Sequence, residues 1–166
     1  MQTGRRNQRG FGYLMALFAV AALGLLAATA GQVWHTAAQR AREADLLFAG
    51  QQYRQALASY YSLEIGGKHQ FPSNLQELLE DHRSQVTLRH LRRIYIDPMT
   101  GQADWVLVTA GDRIVGLHSR SALRPFKRKF DGIDAAFNDA DSYAQWDFRA
   151  AVSEQATGTR RGKSAS

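Results

Sequence analysis

The sequence predicts an α+β chain: one long N-terminal helix, membrane-spanning in its first half, with its second half packed on a small antiparallel sheet. Three observations predict this. Residues 11–30 (FGYLMALFAVAALGLLAATA) hold only Gly and Thr besides hydrophobic residues, and about twenty residues at ~1.5 Å each match ~30 Å of bilayer hydrocarbon. Beyond them, Leu46, Ala49, Tyr53, Ala56, Tyr60 and Leu63 recur at spacings of three and four, one face of a helix. Later, short alternating segments separated by turn residues read as strands.

Length and composition bound the rest. With 166 residues the chain suits one domain with a modest core. Too little chain is left to surround residues 11–30 as a buried core helix. It has no cysteine, so it has no disulfide framework, thiolate metal site or cysteine nucleophile. Mean hydropathy of −0.37, net charge of +6 and a pI near 10.0 suggest a small basic soluble protein. Those averages conceal an uneven layout. Arg5, Arg6 and Arg9 precede the apolar run with no acid beside them, and Arg160, Arg161 and Lys163 lie in a small, polar tail. The body between is close to neutral. By the positive-inside bias the N-terminus is expected in the cytoplasm, with the bulk of the chain across a bacterial inner membrane in the periplasm.

A basic leader before an apolar run has three readings. Ala28-Thr29-Ala30 fits a secretory cleavage site, which would make Gly31 the mature N-terminus. The apolar run is long for a signal peptide, however, and the helical pattern continues through the site. An uncleaved anchor would keep Met1. The third reading rests on Gly10-Phe11. Here the chain resembles the type IV pilin and type II secretion pseudopilin superfamily, whose members carry a short basic leader ending in Gly, then Phe, then an apolar run entering a long amphipathic helix. The resemblance implies cleavage between Gly10 and Phe11 by a prepilin peptidase and N-methylation of Phe11. Met15 stands where the family usually carries a Glu that pairs with a neighbour's N-terminal amine. That departure argues against a major filament subunit more than against membership. Ala27 and Gly31, at a small-xxx-small spacing, would let assembly helices approach closely.

The long helix is expected from about Phe11 to about Leu63, roughly 80 Å at 1.5 Å per residue. Gly66-Gly67 is its stop signal. Arg42, Glu43, Asp45, Arg54 and Glu64 would flank its apolar stripe. Ser73 followed by Gln76 resembles a capping box, with Leu75, Leu78 and Leu79 as the inner face of a short helix. Asp97-Pro98-Met99-Thr100-Gly101 reads as a type I turn. Residues 105–109 and 113–119 read as an antiparallel hairpin around Ala110-Gly111-Asp112, and Trp146, Phe148, Ala150 and Val152 alternate as a last strand. Phe71-Pro72, the Leu-rich helix, Ile96-Asp97-Pro98, Gly101 and Trp105 occur in the order of G-like pseudopilin heads, so the resemblance implies a pilin-like fold. The expected organisation is a leader 1–10, a transmembrane and assembly segment 11–31, an amphipathic helix 32–63, a head 64–153 and a disordered basic tail 154–166.

Little chemistry is visible in the head. Asp131, Asp134, Asp139 and Asp141 crowd one segment, and hard oxygen ligands there suit calcium, which the family's major heads bind in a C-terminal loop. EF-hand spacing is absent and Asp is common in turns, so a solvated loop is the main reading and calcium the alternative. The histidines are scattered, and Ser73, Ser119 and Ser121 lack a G-x-S-x-G context, so an enzyme is not expected. Two basic clusters, Arg89, Arg92 and Arg93, and Arg120, Arg124, Lys127, Arg128 and Lys129, suit a solvated face. A DNA-binding or adhesive minor pilin is an alternative, but no nucleic-acid motif accompanies the bases, so nucleic acid is not the expected partner. The favoured reading is a pseudopilin-like structural subunit of a type II secretion system or related pilus-like filament. Its expected partners are prepilin peptidase, other pseudopilins, an inner-membrane assembly platform and the lipid bilayer. The competing class is a tethered or secreted periplasmic binding module that does not polymerise.

Overall fold

A computed structural model describes the backbone of residues 8–152 and the side chains of residues 11–24 and 34–152. The leader before Gln8 and the tail from residue 153 lie outside the described residues. Among the described residues the architecture is α+β: one long helix, α1 (Gln8–Ser62), three short 3-10 helices and a three-stranded antiparallel sheet. The chain divides into two units, Met1–Ala41 and Arg42–Ser166.

In the first unit the described side chains of residues 11–24 are all exposed. One expectation is corrected here. Among the described residues no helix is long and apolar enough to cross a membrane. The described apolar side chains from Phe11 to Gly24 cover about 21 Å of helix at 1.5 Å per residue, short of the ~30 Å a bilayer core requires. The expected single inner-membrane pass, with a cytoplasmic N-terminus and a periplasmic head, is therefore overturned.

The second unit is built on residues 42–62 of α1. This stretch is rich in Ala, Leu and Gln and free of Pro and β-branched residues, which favours helix. Leu46, Ala49, Tyr53, Ala56, Leu57 and Tyr60 are buried, so the stripe expected from spacing is the packed face. Burying each of the larger side chains contributes about 1.5–3 kcal/mol. The helix ends at Ser62, before the glycine pair. Gly66 and Gly67, both with positive φ (61° and 74°), instead make a two-residue turn, closed by reciprocal backbone bonds between Ile65 and Lys68 of 3.1 and 3.2 Å. Positive φ at both centres is what such a turn demands and what glycine supplies without strain.

The sheet runs in the order β1 (Val106–Ala110), β2 (Arg113–His118), β3 (Phe148–Arg149). β1 and β2 form the expected hairpin, with a register irregularity between Val108 and Thr109. The last strand is shorter than its alternation suggested, pairing only Gly116 with Arg149 and Leu117 with Phe148. Alternation still reports burial, because Trp146 and Phe148 are fully buried. They join Phe130, Phe137 and Tyr143 in an aromatic cluster with ring centroids 5.0–5.5 Å apart, within the favourable range for edge and stacked contacts. Gly50 of α1 admits this cluster, since a Cβ there would lie 2.4 Å from the Phe148 ring.

Two local expectations shift. The short helix Leu75–Leu78 is a 3-10 turn capped by Asn74, whose Oδ1 accepts from Glu77 N at 3.1 Å, while Asn74 Nδ2 donates to Glu77 Oε1 at 2.9 Å. The reciprocal box is thus one residue later than Ser73–Gln76, because a carboxylate is a stronger acceptor than the Gln76 amide. The Asp97 turn is wider than type I. Gly101 N donates to Asp97 O at 2.7 Å and Asp97 N to Gln102 O at 2.7 Å, leaving four residues in the loop.

Candidate functional site

Phe11, the expected new N-terminus, is 69% exposed and Met15 59% exposed. Both lie in α1, as does the backbone of Gly10, Ala27 and Gly31, although the surroundings of those last three lie outside the described residues. At about 100° per residue, the large exposed side chains of this stretch (Phe11, Tyr13, Leu14, Leu17, Phe18 and Val20 among them) are distributed around the whole circumference. A helix that is apolar on all sides is stable only when surrounded.

The head shows polar groups used inside rather than displayed. Glu43, expected to flank the stripe, is buried. It lies three residues before Leu46 and so continues the packed face. Its carboxylate accepts from Phe126 N at 2.8 Å, Lys127 N at 3.0 Å and Tyr143 Oη at 2.7 Å. One side chain of α1 thereby fixes a segment with no regular structure of its own. Arg54 is also buried; it donates to Arg149 O at 3.1 Å and to Asp134 Oδ1 at 2.7 Å, with its guanidinium 5.6 Å from the Phe148 ring centroid. Buried charges persist only when paired and hydrogen-bonded in this way.

At the other end of the stripe, fully buried Asp81 receives a bidentate pair from Arg83 (2.9 and 2.7 Å) and sits 3.2 Å from His90 Nε2. The Arg83 hydrogen bonds, with those of the backbone and His90, hold the Asp81 carboxyl down at about 2 despite burial. His90 Nδ1 lies 2.9 Å from Ser59 Oγ. A serine, histidine and aspartate are thus joined in sequence, but Arg83 already neutralises Asp81, and the amides around Ser59 belong to the helix ladder of α1. The cluster locks residues 81–90 to α1, helped by Arg83 donating to Tyr60 O at 2.9 Å. Asp97 is buried in the same manner, accepting from Ser119 Oγ at 2.6 Å and Met99 N at 2.9 Å. Burial pushes the Tyr53 phenol up to about 12; its hydroxyl donates to Tyr95 O at 3.1 Å and accepts from Tyr95 N at 2.9 Å.

The four aspartates considered for calcium do not converge. Asp134 is committed to Arg54, and Asp141 lies 3.2 Å from Arg124. Asp131 and Asp139 are exposed. Among the described residues no group of three or more His, Asp or Glu side chains is placed to hold a metal ion. The basic clusters are partly neutralised from within, Arg120 by Asp104 at 3.4 Å and Arg124 by Asp141. Lys127 lies 4.5 Å from the Phe130 ring centroid.

One surface feature was not legible in the sequence. A cleft of about 630 Å³ opens beside residues 42–49 of α1, lined by Arg42, Asp45, Phe48, Arg93, Tyr95 and Ile96 among others. Phe48 and Ile96 are 58% and 57% exposed. Phe48 meets Tyr95 edge-on at 6.0 Å, and Arg93 lies 5.0 Å from the Tyr95 ring centroid. Comparison with known protein families, curated proteins and solved structures finds no match.

Proposed function

We propose that the chain is a pseudopilin-like structural subunit of a type II secretion system or related pilus-like filament, cut after Gly10 and assembled through the helix that begins at Phe11. The observation that carries this reading is the exposed apolar circumference of residues 11–24, directly after Gly10-Phe11. A dimer would cover one side of such a helix, whereas the core of a helical filament covers all sides. The order of elements supports the same reading: a long N-terminal helix with one buried stripe, then a small antiparallel sheet, as in a pilin-like fold. Met15 in place of the family's Glu assigns the chain to a minor position in the filament, because no carboxylate at that site is available to a neighbour's amine.

The role is mechanical. Subunits joined by different faces form an open, non-closing assembly that grows by addition. The partners are a prepilin peptidase and other pseudopilins. Co-expression with a prepilin peptidase, followed by sequencing of the mature N-terminus, tests the reading. N-methylated Phe11 is expected, and a Gly10→Val change should abolish processing. A mature chain beginning at Gly31 or still at Met1 would overturn it.

A further inference from the structure

From Arg120 to Phe130 the chain carries five cations and no acid, on a stretch with neither helix nor strand. The stretch is nevertheless a fixed surface. Phe126 N and Lys127 N donate to buried Glu43 at 2.8 and 3.0 Å, Leu123 O accepts from Tyr143 N at 3.1 Å, and Phe130 N donates to Asn138 Oδ1 at 2.7 Å. Pro125 and Phe130 are buried among these anchors, whereas Lys127, Arg128 and Lys129 are exposed, with Leu123 52% and Phe126 41% exposed beside them. The charges are unevenly answered. Arg120 is met by Asp104 and Arg124 by Asp141, and the Glu43 carboxylate is occupied by two amides and the Tyr143 hydroxyl. Among the described residues Lys127, Arg128 and Lys129 make no ion pair. The exposed acids Asp131 and Asp139 adjoin them, so three cations stand against two acids and the face is positive.

We infer that this face rests on an anionic phospholipid surface, with Lys127, Arg128 and Lys129 at the phosphates and Leu123 and the exposed part of Phe126 in the acyl boundary beneath them. Cations set around exposed apolar side chains are what an interfacial contact requires. Apolar burial supplies adhesion, and the cations select anionic headgroups over zwitterionic ones. A nucleic acid would answer the same cations but leave Leu123 in water, since bases stack on rings, and Phe130, the second ring of the stretch, is buried. A second copy of the same face is refused by like charge. The anchors to Glu43, Tyr143 and Asn138 are backbone groups of this stretch, so the cationic side chains are not needed to hold it in place. The contact is peripheral and needs no helix to cross the bilayer. It goes beyond the filament reading and does not rest on it.

The absence of cysteine makes the test direct. Leu123→Cys in the full chain takes one environment-sensitive fluorophore, and Val86→Cys, 69% exposed outside this stretch, serves as the control position. Vesicles of phosphatidylcholine alone are compared with vesicles that also contain phosphatidylglycerol. Residues 11–24 carry no charge and would hold to both kinds, whereas a label at residue 123 reports its own surroundings. A blue shift at residue 123 is expected with the anionic vesicles and none at residue 86. The shift should be about threefold smaller or less with phosphatidylcholine alone, and likewise in about 0.5 M salt. Lys127→Gln, Arg128→Gln and Lys129→Gln together should cut it about threefold or more, with unchanged thermal melting. Arg160→Gln, Arg161→Gln and Lys163→Gln in the tail should leave it in place. If the head triple variant melts early, the salt arm on the unaltered labelled chain reads the same charges. Equal shifts with both kinds of vesicle, an equal shift at residue 86, or indifference to both salt and the head triple change would overturn the inference. So would a shift seen with duplex DNA and not with vesicles, which would assign the face to nucleic acid.

Discussion

Residues 11–24 and residues 42–62 belong to the same helix, α1, and use apolar side chains in opposite ways. In the first stretch they face outward all round, Phe18 being 76% exposed. In the second they are confined to one stripe, and two charged residues, Glu43 and Arg54, are taken inside with them. The difference teaches that apolar content does not locate the core of this protein. The head is held where a helical stripe coincides with side chains able to satisfy the backbone of irregular segments. The first stretch has no such groups, so its stability has to come from neighbours.

The largest effect expected from breaking this contrast is at Glu43. Glu43→Ala removes the acceptor of two backbone amides and of the Tyr143 hydroxyl. The bond to Tyr143 is buried, whereas the Phe126 and Lys127 amides lie at the surface and can turn to water, so a loss of about 2–3 kcal/mol is expected in urea unfolding. A loss below 1 kcal/mol would mean that residues 124–127 are held by something else. Next comes Gly50→Val. Its Cβ would meet the Phe148 ring at 2.4 Å, and that ring is fully buried with nowhere to move. About 2–3 kcal/mol should be lost, although glycine is the poorer helix former. A more stable variant would place Phe148 elsewhere.

A third expectation concerns acid. Asp81 is held at about 2, mainly by hydrogen bonds from Arg83, against an unfolded value near 3.9. A depressed carboxyl contributes stability above its unfolded pKa and loses it as the pH falls through the folded one. The contribution, about 2 kcal/mol, should therefore disappear between about pH 4 and pH 2. Denaturant midpoints measured across that window should fall steeply in the wild type and more shallowly in Asp81→Asn. Equal slopes would remove Asp81 from the acid response.

These same residues show what was legible in the sequence. The stripe on α1 was, because spacing of three and four over many turns has no other explanation. The β1–β2 hairpin was too, since Gly111 marks its turn. Glu43 was read as a flank although it falls on the stripe three residues before Leu46; a charge in register with apolar neighbours was the available signal. The cap moved from Ser73 to Asn74 because both have the right spacing and only the acceptor strength of Glu77 separates them. Segments such as residues 120–131 carry no period at all. Their positions depend on distant side chains, Glu43 above all, and local sequence cannot announce such a partner. The cleft is illegible for the same reason, since Phe48 and Ile96 are far apart along the chain and meet only after folding.

The smallest effect on stability is expected in the first stretch, and it is the sharpest use of the comparison. Leu57 is fully buried and Leu17 is 49% exposed, so the same truncation should read differently in the two places. Leu57→Ala leaves a cavity and should cost about 2–5 kcal/mol. Leu17→Ala trims a side chain that is 49% exposed among the described residues and should change thermal stability by less than about 0.5 kcal/mol. If the stretch is the assembly helix, the cost reappears in association: Leu17→Ala should lower the yield of filaments while leaving the melting of the isolated subunit unchanged. A Leu17→Ala chain that melts early would mean that the apolar stretch is covered by its own chain, and the contrast between the two halves of α1 would be lost.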